Sequence, residues 1–336
     1  MSRIDYKSFI EDNFMITTTA GEIVPFKFND IQDYYYKLLI DDYGEELTGI
    51  RENILKSRRF GFSSIIDAMF ATDFILSELG AIPLTNSDVY SYKEKDTQVL
   101  FTRVNQFIDS YLLQDQGGDY RELAHRRELP LLRKAFLKSD VKGTVIVGKN
   151  GAEYHCLTAG AKVSGRGGTK QNIHWSEVAF YNNTDILNAR DLVTGAEEQV
   201  STGIGKIFRE TTGNVADDFF AEEYQHGVDG VSEFKSRFLA WHLMGAYTKP
   251  APKGWTPPEY YDAVIADGVS HDQCYWHFEK TRGLTSSRRL REYPTTDDEA
   301  FLLGGDPFFS QEALIHYSKA VRKPKKAVEF VGALDV

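Results

Sequence analysis

A chain of 336 residues, 42% hydrophobic and 13% aromatic, can bury a sizeable core and is long enough for one large domain or two smaller ones, which excludes intrinsic disorder. A formal net charge of −10 excludes a protein that coats nucleic acid over its whole surface, because phosphate contacts need clustered Lys and Arg; one-sided or transient contact stays open. No apolar run is long enough to span a membrane, the opening MSRIDYKSFIEDNF carries charge where a signal peptide would be apolar, and Cys156 and Cys274 lie outside any CxxC spacing. The expectation is a cytoplasmic protein with two buried thiols, without a disulfide framework or a cysteine-rich zinc site.

In chain order, the first clear unit is the apolar run at Ile54 and Leu55. It turns at Gly61 into SSIIDAMFATDFILSELG, where Ile65, Ile66, Met69, Phe70, Phe74 and Leu79 share one helix face. A second cycle follows: the β-type SDVYSY, then KDTQVLFTRVNQFIDSYL, with Val99, Leu100, Val104, Phe107, Ile108 and Leu112 at helical intervals. Strand then helix, repeated, predicts a parallel sheet. GTVIVGKNGAEYHCLTAG predicts a hairpin around Lys149, Asn150 and Gly151. Gly165, Arg166, Gly167 and Gly168 form a flexible basic loop before the β-type run Asn172 to Trp175. A further strand, GKIFRET, ends at Thr211 and Thr212, with Gly213 and Asn214 behind it and the helical VADDFFAEEYQHG next.

From about Lys249 the segment PAPKGWTPPEYY breaks regular structure, and the rest reads as a small subdomain, helical and then irregular. The expected division is an α/β core with an N-terminal lid segment over 1–248 and a small linker or lid subdomain over 249–336. Positive charge gathers at Lys56 to Arg59, at Arg126 and Arg127 with Arg133 and Lys134, at Arg288 to Arg291, and at Lys319 to Lys326; all but the first read as solvated faces. The histidines, His174 among them, show no metal-ligand spacing, and His174 reads as a strand residue.

The segment Lys56-Ser57-Arg58-Arg59-Phe60-Gly61-Phe62-Ser63-Ser64 sits where a strand turns into a helix, the place where backbone N–H groups and the helix dipole can hold a phosphate chain. Phe62 stands where a phosphate-binding loop ordinarily has its lysine, so Lys56, Arg58 and Arg59 must supply positive charge from the front of the loop, and Ser63 supplies the hydroxyl for Mg²⁺. A second element is Asn172 to Phe180, a β-type run reaching an acidic residue. Glu177 suits the carboxylate that polarises an attacking water. Ser176 stands where many such enzymes place a magnesium-binding Asp, so metal contact there would be through its hydroxyl or a water. The same residues also admit a plainer reading, a basic loop before a helix and a surface glutamate.

Several separated motifs resemble, in order, those of the large terminase subunits of tailed bacteriophages, which package double-stranded DNA into preformed capsids. Lys56 to Ser64 resembles the family's deviant Walker A, with the lysine at the start of the loop. His174 to Phe180 resembles its Walker B, with Ser-Glu in place of Asp-Glu. Glu210-Thr-Thr-Gly-Asn214 resembles the motif that couples hydrolysis to movement, and Arg166 lies in a Gly-Arg-Gly-Gly loop typical of the stretch before Walker B. Pro25 to Gln32 resembles the adenine-reading glutamine motif, and Glu292-Tyr-Pro with Glu299-Ala-Phe301 the signature that closes the motor part. Together they span about residues 20 to 310.

The resemblance implies a P-loop NTPase of the RecA-like ASCE kind, a mainly parallel sheet flanked by helices, that hydrolyses ATP with Mg²⁺ to drive double-stranded DNA into a procapsid. Gln32 would read adenine; Lys56, Ser57, Arg58, Arg59, Phe60, Gly61, Phe62, Ser63 and Ser64 would form the phosphate loop; Ser63, Ser176 and Glu177 would face the metal; Glu177 would activate water. Glu210, Thr211, Thr212, Gly213 and Asn214 would relay loss of the γ-phosphate, and Arg58, Arg59 and Arg166 are arginine-finger candidates. Implied partners are DNA, a portal protein, the small terminase subunit and further copies of the chain, five in a ring on the capsid but monomeric in isolation, all in the host cytoplasm. Some 35 residues follow Glu299-Ala-Phe301, too few for the family's RNase H-like nuclease, so no nuclease activity is expected of this chain. Two other readings remain: a superfamily-2-like helicase, which would need a second RecA-like domain, and a non-hydrolysing portal-docking module, favoured by Phe62 and Ser176.

Overall fold

The runs RENILK and KIFRET are buried along their whole length, as strands covered on both faces must be. A computed structural model of the chain describes residues 4–114, 120, 128–138, 144–159, 168–181, 188–214 and 218–301. The elements in chain order are α1 (Tyr6–Asn13), β1 (Met15–Thr17), β2 (Ile23–Pro25), α2 (Asp30–Tyr43), β3 (Arg51–Lys56), α3 (Phe62–Glu78), β4 (Asn86–Ser91), α4 (Glu94–Leu113), α5 (Glu128–Phe136), β5 (Val145–Val147), β6 (Glu153–Thr158), β7 (Asn172–Ser176), α6 (Ala189–Glu197), β8 (Lys206–Thr211), α7 (Phe219–Val228), β9 (Lys235–Leu239), α8 (Asp262–Ala266), α9 (His271–Thr281), α10 (Ser286–Glu292) and α11 (Asp297–Ala300).

The main sheet has the order β5-β6-β4-β7-β8-β3-β9. All its ladders are parallel except the edge hairpin β5-β6, which turns at Asn150 and Gly151 as predicted. The chain crosses over between β3 and β4 and again between β7 and β8, so β8 is inserted between β7 and β3. Loops that leave the C-terminal ends of β3, β7 and β8 therefore open side by side, which is where parallel sheets of this kind bind ligands.

One face of the sheet is covered by α1 to α4, with Ile54, Phe70, Phe74, Val104, Phe107 and Phe208 in its core. The other carries Leu55, Trp175, Val193, Ile207 and Phe220 against α6 and α7. A third cluster, around Trp241, Tyr261, Cys274 and Tyr293, holds the short helices after β9 together. Cys156 and Cys274 are both free and buried. No helix among the described residues is long and apolar enough to cross a membrane.

The helix α3 departs from the one-sided pattern read in its sequence: of its residues only Ser63 and Leu76 escape burial. It lies between the sheet and the outer helices, so its polar positions are buried too and find partners inside. Glu78 accepts from the backbone N–H groups of Asn150 and Ala152, each at 2.7 Å, and Asp73 accepts from the Tyr6 hydroxyl at 2.5 Å and Lys206 Nζ at 2.6 Å. Buried carboxylates without such partners would cost several kcal/mol each, on the order of the whole stability of a domain.

Candidate functional site

Lys56 closes β3, and the chain turns through Ser57 to Gly61 into α3. Gly61 is the N-cap, with left-handed backbone (φ +75°) and no side chain to cap the helix, so the first N–H groups of α3 face the loop as a ready anion site. Phe62 is buried and packs on Tyr35, ring centroids 4.9 Å apart. A lysine after the glycine would lie among aromatic rings; the positive charge comes instead from Lys56 on the strand.

Gln32 is 3% exposed and braces the loop. Its Oε1 accepts from Asn29 N–H at 3.0 Å in the capping box of α2, and its Nε2 donates to the Gly61 carbonyl at 2.8 Å, so α2 holds the loop in shape. A Cβ at Gly61 would meet that Nε2 at 2.8 Å and would require an unfavourable φ. Gly61→Ala is therefore expected to cost about 1–3 kcal/mol of stability, read as a lower midpoint in urea unfolding; an unchanged midpoint would show that the loop does not need the left-handed turn.

Side chains at Ile54 and Lys56, His174 and Ser176, and Phe208 and Glu210 alternate onto the same face, because Ile54 and Ser176 both pair in register with Glu210. A chain of alternating charges runs along it. Arg103 Nη1 lies 2.9 Å from Asp67, Asp67 lies 3.1 Å from His174 Nδ1, His174 Nε2 lies 3.5 Å from Glu210, and Glu210 lies 2.9 Å from Lys56 Nζ, which in turn lies 3.3 Å from Glu177. Asp67, His174 and Glu210 are 0% exposed. Burial would raise the Glu210 pKa, but Lys56, His174 and the Ser63 hydroxyl outweigh it and hold the carboxyl well below its ordinary value. Burial would lower the Lys56 pKa; the Glu177 and Glu210 carboxylates reverse this and raise it, so the ammonium stays charged. His174 is likewise raised above the ordinary imidazole value: desolvation opposes the charge, and the hydrogen bond to Asp67 with the nearby Glu210 carboxylate outweighs it.

The sign for stability follows. His174 has a higher pKa folded than unfolded, so its charged form stabilises fully below about pH 6.5 and that contribution is lost as pH rises through the folded value. The stability gap between wild type and His174→Gln is expected to be larger at pH 6 than at pH 9 in chemical denaturation. A gap that is constant or grows with pH would show that the buried imidazole is neutral.

Glu177 follows β7 directly, in left-handed backbone (φ +56°) that a non-glycine residue adopts only under constraint. The constraint is visible: Glu177 Oε2 accepts from Thr212 N–H at 3.1 Å and Thr212 Oγ1 at 3.2 Å, with Thr211 Oγ1 at 3.5 Å. Asn214 Nδ2 donates to the Ala179 carbonyl at 2.7 Å, and Gly213 N–H to the Arg291 carbonyl at 3.2 Å. A Cβ on Gly213 would meet the Ala300 carbonyl oxygen at 2.3 Å, so the close approach of the last helices requires glycine.

Lys56, Ser63, Ser176, Glu177, Glu210, Thr211 and Thr212 are thus brought together. Ser57 and Ser64 are buried in the loop and first turn. Arg58 is turned to α10, pairing with Glu292 at 2.8 Å, and Arg59 is exposed with φ +64°. Arg166 lies outside the described residues, as do Arg126, Arg127 and Lys319 to Lys326. A cavity of about 430 Å³ opens over the site, lined by Arg58, Ser63, Lys93, Arg103, Ser176 and Glu177 among others. Sequence reading missed Lys93, Arg103 and Asp67. Asp67 carried no signal in the sequence, because it falls with Asp73 and Glu78 among the polar positions of α3.

The fold is similar to that of the HK97 bacteriophage large terminase, with 14% identity and a TM-score of 0.53 over 86% of this chain and 53% of that one. The chain spans about half the length of that structure. The large terminase ATPase domain of Thermus phage P74-26 aligns at 14% identity and a TM-score of 0.44, over 80% of this chain and 98% of that one. No protein-family model matches the sequence, nor does any curated protein. The likeness is one of fold: a mostly parallel seven-stranded sheet flanked by helices, arranged as in the HK97 large terminase.

Proposed function

We propose that the chain is the ATPase motor part of a large terminase, hydrolysing ATP to move double-stranded DNA into a procapsid. The observation that carries the proposal is the convergence of a phosphate-type loop, a buried lysine, two hydroxyls and a constrained glutamate at the C-terminal ends of three adjacent strands. The donor set fits Mg-ATP: the first N–H groups of α3 and the Lys56 ammonium suit the phosphate oxygens, Ser63 and Ser176 suit a hard, mostly hydrated cation, and the buried Ser57 hydroxyl has no hydrogen-bond partner among the described residues. Bound magnesium would supply charge neutralisation to the β- and γ-phosphates.

In this assignment the α3 amides and Lys56 hold the phosphates and orient the terminal one. Glu177 accepts a proton from the attacking water as that water bonds to the γ-phosphorus, and ADP leaves. Thr212, which holds that carboxylate, and Thr211 beside it are assigned to register phosphate loss. Arg58, Arg59 and Arg166 are assigned to transition-state charge, and Gln32, besides bracing Gly61, to the adenine edge. The segment from Lys249 onward is taken as a lid, since its Glu292 pairs with Arg58 of the loop. A portal protein, a small terminase subunit and a ring of five copies are the proposed partners, working in the host cytoplasm.

The test is phosphate release by the purified chain with Mg-ATP, with and without linear double-stranded DNA. Magnesium-dependent turnover that DNA raises is expected. Nucleotide binding without turnover under both conditions would favour a docking module instead, and no binding at all would sink the site.

A further inference from the structure

Ser176 leaves the end of β7 without the negative charge that a divalent cation needs nearby. The neighbouring strand supplies one. Glu210, opposite Ser176 in the β7-β8 ladder, points its Oε1 at both hydroxyls, accepting from Ser63 Oγ at 2.6 Å and from Ser176 Oγ at 2.9 Å. The two hydroxyls line the cavity, whereas Glu210 is 0% exposed and stands one layer behind them. Its Oε2 lies 2.9 Å from Lys56 Nζ, so one buried carboxylate faces both the hydroxyls and the loop's ammonium.

We infer that Glu210 is the positioning carboxylate of the magnesium seat, acting through the hydroxyls of Ser63 and Ser176 in place of an acidic residue at 176. A hydroxyl that ligates a cation does so through a lone pair and must send its proton elsewhere. Both protons here already go to Glu210, which turns the lone pairs of Ser63 and Ser176 toward the cavity and makes these oxygens more basic. The same carboxylate fixes Lys56, so cation and phosphate-binding ammonium are registered against one buried group. This relocates the negative charge from the strand that bears the water-activating glutamate to the strand that bears the threonines holding it. The inference rests on the proposed Mg-ATP site and adds a residue to it.

The experiment compares binding of a fluorescent ATP analogue in excess Mg²⁺ and in EDTA, for wild type and Glu210→Gln. Wild type is expected to bind more tightly with magnesium. In Glu210→Gln the magnesium-dependent tightening is expected to fall by at least about 10-fold, while affinity in EDTA holds or improves because a negative charge near the phosphates is gone. Glu210→Gln/Ser176→Asp, which moves the carboxylate to the strand end, is expected to restore the tightening; a purely structural role for Glu210 predicts no such rescue. Ser176→Ala leaves every buried charge in place and is expected to lose part of the tightening, which keeps the inference testable where the Glu210 variants do not fold. Undiminished tightening in folded Glu210→Gln, or in Ser176→Ala, overturns the inference. Failure of wild type to bind the analogue with or without metal would overturn the nucleotide site beneath it.

Discussion

Glu177→Gln is expected to lower ATP turnover by about 10²- to 10⁴-fold while nucleotide affinity stays near that of wild type. The amide keeps the length and the oxygen that accept from Thr212, so the loop after β7 should hold its shape; what it loses is the ability to take a proton. The side chain is 38% exposed and turned to the cavity, unlike Glu210 behind it, so of the two carboxylates near Lys56 only Glu177 can reach a water. Steady-state phosphate release alongside equilibrium nucleotide binding separates the two effects. Turnover within tenfold of wild type would mean that another group activates the water and that Glu177 serves only to hold Thr212.

Lys56→Ala is expected to remove nucleotide binding and also to destabilise the protein by about 3–5 kcal/mol. The Lys56 side chain is 6% exposed, and deleting it leaves the fully buried Glu210 with His174 as its remaining cationic neighbour. Urea unfolding measures the loss. Lys56→Ala/Glu210→Gln, which discharges the orphaned carboxylate, should recover part of the stability and none of the binding. A single variant within about 1 kcal/mol of wild type would show that the buried pair is not what holds this end of the sheet together.

The alternation of strands and helices was legible because periodicity reports directly which faces are covered. It located the turn at Gly61, the hairpin at Asn150 and Gly151, and the strand that leads to Glu177. The environment of α3 was not legible. Asp67, Asp73 and Glu78 look like a solvent face in one dimension, and the groups that satisfy them, His174, Lys206 and the amides of Asn150 and Ala152, lie far along the chain. Glu210 was visible as a member of a motif, but its contact with Ser63, Ser176 and Lys56 depends on β8 lying between β3 and β7, which strand order alone decides. The left-handed backbone at Glu177 carries no local signal either, since no glycine or asparagine marks it.

Two parts of the site reach α10 through the main chain: Arg58 N–H donates to the Glu292 carbonyl at 2.9 Å and Gly213 N–H to the Arg291 carbonyl at 3.2 Å. Because neither bond uses a side chain, exchanging Arg291 or Glu292 for another residue deletes neither of them. These two bonds are therefore indifferent to side-chain drift at their receiving end, although the Arg58–Glu292 ion pair beside them is not. They are vulnerable at their donors, where proline would remove the N–H outright, and a lineage could rewrite Arg291 while the phosphate loop and the threonine strand kept hold of the same turn.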